Sequence, residues 1–445
     1  MKCWSFIIAL LCVCQCVWAQ QPDFSELEKV IVAELQETNA PGASLVIVRG
    51  SQVIYAKGFG TANVETNAPV TPDMLFRLGS TTKMFTAAAL VQLAEQGKLR
   101  LDEPIGKYAK GLSGKIAALT ANQLLSHLSG LKDTATMFGK HDDEALGETV
   151  RALRDDFFFA EPDKVYSYSN PNFWLAGYLI EAVSGKAYAD QLNESLFKPL
   201  GMQRTTFRPT LALTYPLAQG HEDGKIIRPA ADNAGNWPAG SMFSSALDLS
   251  RWVIAFLNGG QLEGKQVLAP SLIATMMTPR ANLPGSQNKY GYGLTLATQR
   301  GVKLVEHGGS RSGYGSFIRM APAQRIGIIL TINKSGGSLN KTLEKASELM
   351  LPFAAKAETK PQPITMTEVE MRNCIGVFGD GSTTIEIALQ DGKLIAKTGT
   401  RQSPVQKIGQ MRFAGLGNEF VLIADANGKA EFLHAGGRTL RRQAK

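Results

Sequence analysis

The chain has 445 residues, 44% hydrophobic and 19% charged, with a formal charge of +8 and 44 scattered glycines; at about 100–200 residues per domain this allows two or three domains and an ample core. That composition excludes disorder and fibrous repeats. No stretch gathers the Lys/Arg cluster with interleaved aromatics that a nucleic-acid face needs, so no nucleic-acid partner is expected.

Residues 1–19 start with a basic Lys2, run through an apolar stretch at 6–13 and end in Val17-Trp18-Ala19, the pattern of a cleaved secretory leader. An exported protein is expected, with a bacterial periplasm as its destination. The apolar stretch is shorter than the roughly 20 residues a bilayer requires, and no later run equals it, so no membrane span is expected. Cys3, Cys12, Cys14 and Cys16 leave with the leader, and Cys374 is left without an intramolecular partner. A lipid-anchored cysteine is the competing reading, but none of the four follows the small residue such an anchor requires.

Residues 43–48 and 53–59 are β-rich and flank Arg49-Gly50-Ser51, which predicts a hairpin. Helical patterns follow: an apolar run over 84–93, opened by Ser80 and stopped at Gly97, then 171–183 stopped at Gly185 and 246–257 stopped at Gly259-Gly260. Strand patterns return over 294–297, 303–306, 315–320 and 327–332, before a last helix over 339–350. Strands on both sides of a helical middle predict an α/β (α+β) architecture, one antiparallel sheet built from both chain ends with a helical domain inserted. The Pro- and Lys-rich stretch over 354–370 reads as a linker. Beyond it, alternating runs at 383–389, 393–397, 420–424 and 430–433 are separated by Asp391-Gly392 and Asn427-Gly428, turn pairs that favour tight hairpins and predict a small all-β sandwich or barrel. The expected division is a leader over 1–19, a first domain over 20–355, a linker over 356–372 and the β domain over 373–445.

Several chemical templates are missing. There is no G-x-S-x-G elbow, no P-loop, no third glycine after any G-x-G pair, and no H-E-x-x-H or H-x-H spacing among the five histidines. Neither a metal nor a cofactor is expected. What remains is S-x-x-K, which occurs five times, at Ser80, Ser129, Ser195, Ser286 and Ser338. Only Ser80 starts an apolar helix with its lysine one turn later, where the two side chains share a face and backbone N–H groups surround the hydroxyl. A serine hydroxyl is a weak nucleophile near neutral pH and needs an adjacent base. Lys83 can serve when neutral, and both burial and the helix dipole disfavour its ammonium. An exposed lysine in a first helical turn is the competing reading of the motif. Tyr168-x-Asn170 offers a phenol for proton relay and an amide to orient Lys83, whereas Tyr166 reads as packing. His307-Gly308-Gly309 reads as following a strand, and the small residues from there to Gly315 would let a substrate backbone lie along a sheet edge.

Phe76-Arg77-Leu78-Gly79-Ser80-Thr81-Thr82-Lys83, the stretch from Leu124-Leu125-Ser126-His127 to Leu131, Tyr168-Ser169-Asn170, Ala239-Gly240-Ser241, Tyr290-Gly291-Tyr292-Gly293-Leu294 and His307-Gly308-Gly309, in that order within residues 23–353, resemble the serine β-lactamase-related superfamily. That superfamily includes class C β-lactamases, D-alanyl-D-alanine carboxypeptidases, D-aminopeptidases and family VIII esterases. The resemblance implies a β-lactamase/transpeptidase-like fold, with Ser80 as acylated nucleophile, Lys83 and Tyr168 as the general-base pair, and the backbone N–H groups of Ser80 and Ser310 as oxyanion hole. Asn170, His307, Gly308, Gly309 and Arg311 are expected to bind substrate, Arg311 by holding a carboxylate bidentately. His307-Gly308-Gly309 stands where class C β-lactamases carry Lys-Thr-Gly, which leans the expectation toward an esterase or D-peptidase. The literal Lys397-Thr398-Gly399 lies in the β domain and reads as a decoy. His127 reads as a structural helix-end histidine, Asp142-Asp143-Glu144 as a solvated loop and His434-Ala435-Gly436 as a turn. The expected partner is a small-molecule or peptide substrate, and in some relatives a lipocalin-like appended domain shapes the active site or the oligomer. A β-lactamase or penicillin-binding carboxypeptidase, and a non-catalytic recognition protein, remain as alternative readings.

Overall fold

Strands from both chain ends meet in one nine-stranded antiparallel sheet. In the computed structural model, which describes residues 22–356 and 362–443, its strands are β1 (Gly42–Arg49), β2 (Gln52–Asn63), β3 (Ala68–Pro69), β4 (Ala281–Asn282), β5 (Lys289–Tyr290), β6 (Thr295–Gln299), β7 (Val302–Arg311), β8 (Tyr314–Ala321) and β9 (Ile326–Ile332). The order is β4-β5-β6-β7-β8-β9-β1-β2-β3. Central strand β1 is buried on both faces. Leu45 and Ile47 pack with helices α1 (Ser25–Thr38) and α5 (Asn340–Met350), while Val46 and Val48 face the helical domain, as the two-residue strand period requires. The leader over 1–19, with its four cysteines, lies outside the described residues.

The helical layer is built on α2 (Thr82–Glu95), α3 (Asn170–Ser184) and α4 (Ala246–Leu257). Helix α2 is apolar on all sides, and every residue from Thr82 to Val91 is buried, the signature of a central core helix rather than an amphipathic surface one. Each fully buried Leu or Phe along it stabilises the fold by roughly 1.5–3 kcal/mol. The inserted helical domain therefore surrounds the helix that carries Lys83.

The C-terminal domain is a second nine-stranded antiparallel sheet curled into a nearly closed barrel. Its strands are β10 (Gly376–Gly379), β11 (Thr384–Gln390), β12 (Lys393–Thr398), β13 (Arg401–Pro404), β14 (Gln406–Gly409), β15 (Arg412–Gly415), β16 (Asn418–Ala424), β17 (Ala430–Ala435) and β18 (Arg438–Arg442), ordered β13-β12-β11-β10-β18-β17-β16-β15-β14. Phe378, Ile387, Leu394, Phe413, Leu422 and Leu433 fill its core.

Three readings change. Part of the stretch read as linker forms a helix, Glu368–Cys374, opened by a Thr367/Glu370 capping box that satisfies its first N–H groups. His307-Gly308-Gly309 does not follow a strand but continues β7, which runs on to Arg311. His434-Ala435 is likewise strand, and the turn comes at Gly436-Gly437, both with positive φ. In the two strand cases the pairing partner decided, since glycines alone do not end a strand whose neighbour continues.

Candidate active site

Ser80 sits on a 3-10 turn, Gly79–Thr81, that leads into α2. The turn is wedged against β7. Gly79 has φ +59°, and a Cβ there would lie 2.6 Å from the backbone nitrogen of Ser310. Across the same contact a Cβ on Gly309 would lie 1.8 Å from the Leu78 carbonyl oxygen. Gly79 and Gly309 thus let two backbones meet without side chains between them, and that close approach puts Ser310 beside Ser80. Both residues line one cleft of about 90 Å³ with Asn170, Ala239, Gly240 and Arg311. β7 pairs with β6 only as far as Glu306, so from His307 to Arg311 it presents an unpaired edge on the β6 side.

Lys83, one turn further along α2, is completely buried. Its Nζ donates to the Ala239 carbonyl and to Asn170 Oδ1, each at 2.7 Å, and lies 3.2 Å from Ser80 Oγ. The first two atoms can only accept. As an ammonium Lys83 donates its third N–H to Ser80 Oγ; as a neutral amine its two N–H groups are taken by these acceptors and its lone pair can accept from the Ser80 hydroxyl. Burial, the largest influence, lowers the Lys83 pKa to about 7; Asp133 opposes this and Arg438 adds to it.

Asn170 is held in the orientation this requires. Asp133 Oδ1 accepts from the Asn170 backbone N–H at 2.7 Å and from its side-chain Nδ2 at 3.0 Å, so the amide oxygen faces Lys83. No motif pointed to Asp133, which lies in a loop without a readable pattern. The Tyr168 ring lies over Lys83, with Nζ 4.7 Å from the ring centroid, and its hydroxyl is buried without a hydrogen-bond partner among the described residues. Burial raises the Tyr168 pKa, and the nearby Ser80 hydroxyl offsets this in part, so Tyr168 is a neutral phenol at physiological pH.

Beneath these groups lies a layer of neutral aromatics. His127, at the end of helix Ala121–Leu125 with φ +58°, is fully buried and accepts at Nδ1 from the Ser169 backbone N–H at 3.1 Å. Its ring packs 4.3 Å from Tyr168, in keeping with a structural role. His307 is buried beside it. Tyr290 lies 3.0 Å from His307 Nε2, and the His307 pKa is lowered to about 4 by burial and by Lys83. Its ring faces this layer, and Gly308 and Gly309 serve the close packing of β7 against Phe317 and Leu78.

Arg311 lines the cleft, but most of its fork is engaged: Nη1 donates to Gly240 O at 3.1 Å and Ser241 Oγ at 2.7 Å, and Nη2 donates to Ala231 O at 2.8 Å, while the buried Nε has no partner among the described residues. With both Nη groups bonded to the wall, Arg311 builds the cleft and does not present the free carboxylate clamp expected from sequence. Asp232, 3.9 Å from Arg311, pairs with buried Arg77. Beyond Asp232 lies a larger cavity of about 490 Å³ lined in part by Arg77, Trp237, Phe243 and Tyr314. Ser80 does not line it; Ser80, Asn170 and Ser310 line the smaller cleft. Asp142-Asp143-Glu144 forms a loop in which Asp142 accepts from backbone N–H groups and Asp143 pairs with Arg208 at 3.1 Å. Lys397 lies on β12, separated from β18 by β11 and β10. Among the described residues no group of His, Cys, Asp and Glu is arranged to hold a metal, and no helix is long and apolar enough to cross a membrane.

Residues 27–348 match the family model described as Beta-lactamase. "Protein flp" of Staphylococcus aureus (strain N315) is 27% identical over 328 residues, which is 72% of this chain and 65% of that protein, so the match spans just under two thirds of the relative. "Putative beta-lactamase-like 1" of Homo sapiens is 28% identical over 359 residues, 76% of this chain and 70% of that protein. The structure of SurE with D-Leu superposes with a TM-score of 0.77 at 23% identity, covering 95% of this chain and 100% of that one. The octameric penicillin-binding protein homologue from Pyrococcus abyssi has a TM-score of 0.65 at 25% identity, over 95% of this chain and 98% of that one.

Proposed function

Because the chain belongs to the β-lactamase family, whose members are generally serine hydrolases, we propose that it forms an acyl-enzyme at Ser80 and hydrolyses an ester or amide, a D-amino-acid peptide or a small ester. The observation that carries this reading is the environment of Lys83. Two obligate acceptors take its N–H groups and the third direction points at Ser80 Oγ.

The neutral amine takes the proton of Ser80 Oγ as that oxygen attacks the substrate carbonyl carbon. Backbone N–H groups of Ser80 and Ser310 receive the developing oxyanion; such a donor is worth about 3–4 kcal/mol. Collapse breaks the bond to the leaving group, which takes its proton from the Lys83 ammonium through the Tyr168 hydroxyl. Water then attacks the acyl carbon, gives its proton back along the same route, and Ser80 leaves protonated. Asn170 orients both the lysine and the substrate.

Two features favour an ester or D-peptide over a β-lactam. β7 carries His307, buried and tied to Tyr290, where a β-lactamase would present a lysine, and a protein of this fold holds D-Leu. A non-catalytic recognition protein would have no use for a fully buried amine aimed at a serine. The test is intact mass after a fluorophosphonate or a penicillin, with p-nitrophenyl esters and D-amino-acid amides as substrates. An adduct lost in Ser80→Ala, with turnover of the ester or D-amide panel, is expected; penicillin turnover alone would move the assignment to a β-lactamase. Export to a periplasm is part of the same proposal, tested by N-terminal sequencing of mature protein, expected to start at Gln20.

A further inference from the structure

The hairpin between β17 and β18 reaches out of the barrel to the cleft. Gly437 O accepts from the Tyr168 backbone N–H at 2.9 Å. Thr439 N donates to Ser167 Oγ at 3.0 Å, Thr439 Oγ1 donates to Tyr166 O at 2.7 Å, and the His434 ring packs 6.0 Å from that of Tyr166. These bonds fix the backbone on both sides of Arg438, whose guanidinium pairs with Asp133. The Asp133 carboxylate is only 8% exposed, whereas Arg438 is 53% exposed. Asp133 is the group that holds the Asn170 amide, and Asn170 accepts from Lys83.

We propose that Arg438 is a positioning residue for the Ser80 chemistry: by pairing with Asp133 it offsets the carboxylate that would otherwise hold Lys83 as an ammonium, so a residue of the C-terminal barrel sets the charge of the base. This rests on the reading of Lys83 as general base.

The other titratable groups facing Lys83 carry no charge near neutral pH. Tyr168 lies over it, and burial raises both Tyr168 and Tyr290. His127, at the end of its helix, and His307 on β7 are both lowered by burial and by Lys83 itself. The charges acting on Lys83 are Asp133, which favours its ammonium, and Arg438, which disfavours it. Removing each must therefore move Lys83 in opposite directions, a sign that general loosening of the fold does not produce.

The test measures the rate of Ser80 labelling by a fluorophosphonate against pH, by intact mass on the full chain, which needs no knowledge of the substrate. Reactivity rises with pH as Lys83 loses its proton. Arg438→Gln should shift that limb to higher pH by about half a unit to one unit, and Asp133→Asn, which keeps a carbonyl for Asn170, to lower pH by a similar amount. Arg438→Lys should stay near wild type, the double variant Arg438→Gln/Asp133→Asn should return close to it, and salt should narrow the Arg438 effect because that group is half-exposed. If both single variants shift the same way, or neither shifts, the proposal is overturned while the base reading stands. An Arg438→Gln effect confined to the KM of carboxylate-bearing substrates would make Arg438 a substrate contact and also overturn it. Loss of both readings would show as wild type that takes no label, or as Lys83→Met labelled as fast as wild type.

Discussion

Lys83 Nζ and Asn170 Oδ1 lie 2.7 Å apart, and the amide presents its oxygen because Asp133 holds its nitrogen. Asn170→Asp would replace that neutral acceptor with a carboxylate and favour the Lys83 ammonium. Labelling of Ser80 at pH 7 should fall about 10-fold or more, with the limb displaced upward by at least a unit. An unshifted limb would show that the amide does not bear on the charge of the lysine.

The Tyr168 hydroxyl makes no hydrogen bond in the structure among the described residues and lies near the Ser80 hydroxyl, which lines the open cleft, so its removal strands no buried group. Tyr168→Phe should melt within a degree or two of wild type and yet lose about 100- to 10,000-fold in turnover of any ester or amide substrate, the range of a missing proton carrier. A matching loss of stability would assign Tyr168 to packing.

Gly309 has no room for a side chain, since a Cβ would stand 1.8 Å from the Leu78 carbonyl. Gly309→Ala should force β7 away from the turn that carries Ser80, costing about 1–3 kcal/mol. Thermal melts should drop by several degrees and Ser80 labelling should slow. Neither change would occur if the two backbones were free to separate.

Much of this was legible in the sequence. The hairpin of β1 and β2, the apolar helix behind Ser80 and the Tyr168-x-Asn170 pair carry strong local patterns, and the structure brings Ser80, Lys83, Tyr168, Asn170 and Ser310 to one place. Arg311 was legible as a cleft residue but not as one bonded into the wall, because two of its acceptors, the Gly240 and Ala231 carbonyls, are backbone atoms whose identity a side-chain pattern does not carry. Asp133 and Arg438 left no signal. Each matters only through a partner, and the partners are brought together by a hairpin more than 260 residues away from Tyr168 in sequence. The glycines of His307-Gly308-Gly309 suggested a strand end, whereas they permit a strand to pass close to its neighbour.

Acid should weaken the fold in a defined window. Burial lowers the pKa of His307 from the ordinary 6.5 of an imidazole to about 4 and lowers His127 in the same direction. Between these limits the unfolded chain binds more protons at these histidines than the folded one, so their contribution to stability is complete above about pH 6.5 and is lost as pH falls toward 4. Melting temperature measured from pH 7 to 4 should decline across that range, and His307→Gln should flatten part of the decline. A melting temperature constant down to pH 5 would contradict the buried, neutral state of these rings.

The central claim is that a neutral Lys83 makes Ser80 a nucleophile, and it is tested most directly by intact mass of the full chain after a fluorophosphonate, for wild type, Ser80→Ala and Lys83→Met side by side. One adduct on wild type, none on Ser80→Ala and a rate reduced by orders of magnitude on Lys83→Met is the predicted result. Folded wild type that remains unlabelled, or an adduct that survives in Ser80→Ala, would contradict it.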